Sequence, residues 1–127
     1  VVNNTTSFRT MLRVLPYGAT KSALEAASAV WAAELAGTGV TVNVLIPGGP
    51  TDTPFIGADS GWARHAMLRP AIMGPPLAWL LSDATAGITG QRITAGRWGA
   101  AAPEAAAAMR PVGWPELGAD AVWLTNG

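Results

Sequence analysis

Residues 40–46, VTVNVLI, are a nearly continuous apolar run rich in β-branched side chains. Such a run reads as a strand. Without polar alternation it suits a strand covered on both faces, as in a parallel sheet. Its flanks narrow the fold further. Upstream, Tyr17 to Ala36 is alanine-rich, with Leu24, Ala27, Trp31 and Leu35 at spacings of three and four, which is helical. Gly37 and Gly39 end that helix. Downstream, PGGPTDTP (residues 47–54) stops the strand with a rigid loop.

The rest of the chain continues the alternation. VVNNTT (residues 1–6) reads as a strand and SFRTMLRVLP (residues 7–16) as a loop closed by Pro16. Residues 59–69 read as a short amphipathic helix or a mobile segment. PPLAWLLSD (residues 75–83) reads as a helix with prolines in its first turn. GITGQRITA (residues 87–95) gives a turn and a short strand. The order strand, helix, strand, helix, strand argues for α/β with a parallel sheet and right-handed crossovers. Three strands fall short of a usual sheet of about 4–6. The expectation is therefore the C-terminal portion of a larger fold, with a complete three-stranded α/β protein as the alternative. Residues 99–127, with EAAAAM, Trp114 and Trp123, read as an extension packing on the domain or on a partner.

Composition excludes several function classes. Eight basic and eight acidic residues are scattered singly, which argues against nucleic acid or an anionic membrane as partner. There is no cysteine and a single histidine, so neither a disulfide framework nor a Cys/His metal site is expected. No run is long and apolar enough to span a bilayer and no leader is visible, so a cytoplasmic protein is expected.

The chemistry concentrates in YGATKSAL, residues 17–24, which holds the chain's sole tyrosine and sole lysine, four residues apart. On a helix, Tyr17 and Lys21 share a face. An adjacent ammonium favours the phenolate and lowers a phenol's pKa from about 10. A phenol so tuned can protonate a forming alkoxide or take a proton from an alcohol. Spacing alone equally allows a packed tyrosine and a solvated lysine. Three neighbours favour the site: the hydroxyls Thr5, Thr6 and Ser7 before the helix, Pro47-Gly48 after the next strand, and Asn43 within that strand, where a lone amide needs a structural reason.

The run YGATKSALEAASAVWAAELAGTGVTVNVLIPGGPTDTP resembles the C-terminal half of the short-chain dehydrogenase/reductases. Their Tyr-x-x-x-Lys helix is followed by Val-x-Val-Asn-x-x-x-Pro-Gly and a threonine-bearing loop. GITGQRITA resembles their last strand, so the resemblance covers about residues 1–98. It implies a Rossmann-type doubly wound domain over residues 1–98, with 99–127 as an extension. It implies an oxidoreductase that interconverts a carbonyl and an alcohol with NAD or NADP. Tyr17 would be the general acid/base. Lys21 would lower its pKa and hold the nicotinamide ribose. A hydroxyl of the first strand, Thr6 by the look of the strand and otherwise Thr5 or Ser7, would polarise the carbonyl. Pro47 and Gly48 would line the nicotinamide site, with Thr51 or Thr53 near its carboxamide or pyrophosphate. The partners implied are a small carbonyl or alcohol substrate and a second copy of the chain, paired through helix 17–36.

The chain also departs from the family. The family serine lies thirteen residues before the tyrosine, where this chain has Asn4. The Pro-Gly loop is one residue longer. The glycine-rich dinucleotide loop would precede Val1, so the expectation is a fragment that holds the nicotinamide half of the cofactor, binds it weakly and is inactive alone. Of the remaining residues, His65, Arg64 and Arg69 read as surface groups in a lid-like region, the tryptophans as core or interface, and Asp52 as capping a turn. Two other classes stay open. One is a non-catalytic remnant serving as an interaction module. The other is a related epimerase or dehydratase, less well matched by VNVLIPGG and ITGQ. Enoyl reductases of this fold usually space tyrosine and lysine more widely, which counts against them.

Overall fold

The computed structural model describes residues 15–99 and 109–111. Helix α1 spans Leu15–Glu34, strand β1 Val44–Ile46, helix α2 Gly74–Leu80, strand β2 Gln91–Thr94 and strand β3 Met109–Pro111. Single 3₁₀ turns occupy Arg64–Ala66, Pro70–Met73, Asp83–Thr85 and Ala95–Arg97.

Helix α1 begins two residues before the expected start and takes in Pro16, expected to close a loop. Proline is tolerated in a first turn because its missing N–H has no helical acceptor there. The helix ends at Glu34, and the following turns run through Gly37 (φ +80°) and Gly39 (φ +85°).

The sheet has the order β1-β2-β3. β1 and β2 are parallel, with Val44 opposite Arg92, Leu45 opposite Ile93 and Ile46 opposite Thr94. The chain between them supplies the turns and α2 that a parallel connection needs. β3 comes from the C-terminal extension and pairs antiparallel with β2, Ile93 opposite Met109. Of the expected parallel strands, the described residues hold β1 and β2; β3, from residues 109–111, was not expected, and VVNNTT lies outside the described residues.

Side chains alternate across the sheet. One face carries Leu45, Ile93 and Ala95, packed with Ile72, Met73, Leu80, Trp98 and Met109. Trp79 and Trp98 add a tilted ring contact at 5.3 Å. The other face carries Val44, Ile46, Arg92 and Thr94, all fully buried. Helix α1 meets β2 here through Glu25, whose Oε1 lies 2.8 Å from Arg92 Nε. The buried residues of α1 are Glu25, Ser28 and Ala32, while Trp31 is 44% exposed. The inward stripe is thus Glu25, Ser28 and Ala32, beside the Leu24, Ala27, Trp31 and Leu35 row whose spacing marked the helix.

Only residues 44–46 of the expected strand 40–46 form a ladder. Ahead of it, side chains join a single main-chain bond in place of a regular ladder. The Val42 N–H donates to Thr89 Oγ1 at 3.0 Å, and the Gly90 N–H donates to the Val42 carbonyl at 2.8 Å. Asn43 Nδ2 donates to the Ile88 carbonyl at 2.8 Å, while its Oδ1 accepts the Gln91 N–H at 3.1 Å. That is the structural reason for the lone amide: Asn43 aligns β1 with the turn entering β2.

Candidate active site

Tyr17 and Lys21 lie one helical turn apart in the first half of α1, both half-buried. The Lys21 Nζ sits over the phenol ring, 5.6 Å from its centroid, within reach of a cation–π attraction. The Thr20 hydroxyl is turned to the Tyr17 carbonyl at 2.9 Å. Burial pushes the Tyr17 phenol above its ordinary pKa. The sequence led to the opposite expectation, a value lowered by Lys21. Desolvation disfavours the phenolate, and the ammonium is held over the ring face.

The second wall comes from the loop after β1. Pro47 anchors that loop by accepting the Gly96 N–H at 2.9 Å. Gly48 follows, buried and at φ +92°, a conformation that favours glycine. The loop then pairs with the returning chain. The Leu68 N–H donates to the Pro50 carbonyl and the Asp52 N–H to the Leu68 carbonyl, both at 2.9 Å. The Thr51 hydroxyl donates to the Gly49 carbonyl at 3.2 Å, and that of Thr53 to the Thr51 carbonyl at 3.4 Å.

Two residues on, Phe55 reaches Tyr17, with ring centroids 5.5 Å apart and planes tilted by 37°. Phe55 is otherwise 74% exposed. Its loop is held from behind by Arg64, whose guanidinium donates to Asp52 Oδ1 at 2.7 Å, to the Thr53 carbonyl at 3.0 Å and to the Ile56 carbonyl. Arg69 adds a 3.2 Å pair with Asp52 Oδ2. Arg64, Arg69 and Asp52, read from sequence as surface groups and a turn cap, together strap this loop. His65 is exposed on the Arg64–Ala66 turn.

The structure therefore brings Tyr17 and Lys21 together and carries the threonine loop to them through Phe55. Thr6, Thr5 and Ser7 lie outside the described residues. Phe55 was missed from sequence because an aromatic ring in a loop carries no spacing signal. Glu25 and Arg92 were also missed. Their signals were a carboxylate four residues after Lys21 on one helix and a charge inside a strand between Gln91 and Ile93.

The polar groups of the site are ones that could hold a nicotinamide group. With their hydrogens used inside the loop, Thr51 and Thr53 retain lone pairs that match the amide N–H₂ of a carboxamide. Lys21 offers ammonium hydrogens suited to ribose hydroxyls. Among the described residues, no group of three or more His, Cys, Asp or Glu could hold a metal ion, and no helix is long and apolar enough to cross a membrane.

The model of a family described as enoyl-(acyl carrier protein) reductase matches residues 2–96. No curated protein and no solved structure matches.

Proposed function

This chain belongs to the short-chain dehydrogenase/reductase family, and from that membership, which carries an oxidoreductase kind of function, we propose that it interconverts a carbonyl and an alcohol at Tyr17. The observation that supports the reading best is the half-buried Tyr17 phenol, walled by Phe55, with the Lys21 ammonium 5.6 Å from its ring centroid. A phenol whose pKa is raised by burial is fully protonated at neutral pH. In that form it holds the proton that the proposed reduction delivers to the oxygen becoming an alkoxide. Lys21 limits the reverse cost, because its positive charge offsets the phenolate left behind. Thr6 is proposed as the hydroxyl that polarises the carbonyl, with Thr5 and Ser7 as the alternatives.

NAD or NADP, when bound, supplies the hydride chemistry. Lys21 would hold the nicotinamide ribose. Pro47 and Gly48 would shape the wall against the ring, and Thr51 and Thr53 would accept from its carboxamide. The sequence carries no Gly-x-x-x-Gly-x-Gly motif for the adenosine half, and no residue is proposed to hold it. The exposed Trp31 and Val30 on α1 support a homo-oligomer formed through this helix.

The description of the matching family favours a second reading, reduction of an enoyl thioester. The short Tyr17–Lys21 spacing supports the carbonyl reading. The test is turnover of NADH or NADPH by the protein, purified as its own cells make it, against a panel of ketones, aldehydes and enoyl thioesters. Ketone or aldehyde turnover is the expected result. Turnover restricted to enoyl thioesters would replace this reading with the second, and a folded protein idle on all of them would favour the interaction module.

A further inference from the structure

Helix α1 carries Tyr17 and Lys21, yet its buried stripe offers little to fix where it lies along the sheet. Ser28 is small, and its hydroxyl is turned back to the Leu24 carbonyl at 2.8 Å. Ala32 is small too, and it passes close to Gly90, where an added Cβ would stand 3.6 Å from the Ala32 Cβ. Apolar contacts between small side chains tolerate sliding and rotation. The third buried residue is Glu25. It reaches Arg92 at the centre of β2, and both side chains are essentially sealed from water. A buried ion pair brings little net stability, because desolvation of both charges offsets their attraction. Its directional contact is instead lost when either partner moves, and fixing a registry is the best-attested use of such a group.

Residues 17, 21 and 25 form one row at i, i+4 and i+8. Glu25 lies about 12 Å along the axis from Tyr17, at about 1.5 Å per residue. We propose that the Glu25–Arg92 pair is the positioning device of the site: it locks the rotation and axial registry of α1 on β2, and so fixes where the Tyr17 phenol stands against Phe55. Glu25 and Arg92 act through Tyr17. The consequence for turnover rests on the proposed function; the placement of the phenol does not.

Tyr17 is the chain's sole tyrosine, so the pH-dependent rise in tyrosinate absorbance, taken as a difference against the background of the six tryptophans, follows this one phenol. The test uses the full chain and two variants. E25D keeps both charges and shortens the reach by one methylene. E25M/R92L replaces the pair with apolar side chains of similar size. Both are expected to stay folded by circular dichroism, with the Tyr17 titration midpoint lowered toward that of a solvated phenol. In an active preparation, kcat falls about tenfold to a hundredfold, as misplacement of a reacting group by about 1 Å does, with KM changed less than about threefold. A wild-type midpoint in either folded variant overturns the proposal, whatever the activity. If the midpoints move while Tyr17→Phe retains full turnover, the proposed function fails and the positioning role stands.

Discussion

Tyr17 is the residue on which the proposed chemistry turns, and its surroundings keep its phenol protonated. Because burial raises its folded pKa, the native state holds the phenolic proton more tightly than the unfolded chain does. The stability this contributes is complete below the unfolded phenol's pKa of about 10 and is lost as pH rises through the folded value. Denaturant unfolding across that alkaline range should show stability falling with pH, and the part due to Tyr17 should vanish in Tyr17→Phe. Reductive turnover should likewise hold through neutral pH and fall only as Tyr17 ionises. A second residue-scale test concerns Thr94. Its hydroxyl is fully buried and has no hydrogen-bond partner among the described residues. Thr94→Val keeps the shape and removes the unsatisfied group, so a stability gain of about 1 kcal/mol is expected in urea titration. Much at this scale was legible. Tyr17 and Lys21 stood out by rarity and spacing, and Asn43 by its apolar company. The direction of the Tyr17 shift was not legible, because it depends on Phe55 and burial, which spacing does not encode.

At the scale of elements, the turn before β2 is tight for a reason. Gly90 has φ +69° and lies against Ala32, while its N–H holds the Val42 carbonyl. Gly90→Ala places a side chain in a left-handed conformation, a cost of roughly 1–2 kcal/mol measurable as a lowered urea midpoint. Breaking the buried pair from one side is costlier: Arg92→Leu removes the 2.8 Å contact to Glu25 inside the fold, and a lowered urea midpoint is expected. The Asp52 strap lies nearer water, so Asp52→Ala should change stability by less than about 1 kcal/mol while loosening the Phe55 loop, read as a rise in KM. Helix α1 was legible to within two residues because its alanine-rich period is long. Its buried stripe was not, since an inward glutamate is legible only with the Arg92 that meets it across the fold. β1 read longer than it is, because Val42 and Asn43 are tied to the next turn through the side chains of Thr89 and Asn43 rather than by a regular ladder. β3 went unread because Met109–Pro111 is too short to show alternation.

For the molecule as a whole, parallel β1 and β2 place the Pro47–Thr53 loop at the carboxyl end of β1, where open α/β sheets bind ligands. α1 covers one face and brings Tyr17 and Lys21 to that loop. The α/β class was legible from the alternation of runs. The antiparallel return of the C-terminal extension was not, because strand pairing between distant segments leaves no local trace. If α1 is the proposed subunit interface, Trp31→Glu should lower the assembly state in sedimentation while leaving the Tyr17 titration unchanged. The most direct measurement of the central claim is kcat/KM for carbonyl reduction by Tyr17→Phe beside the native protein. The phenol's role as acid predicts a fall of about 10²–10⁴-fold with the thermal unfolding transition preserved. Native turnover in the folded variant would contradict it.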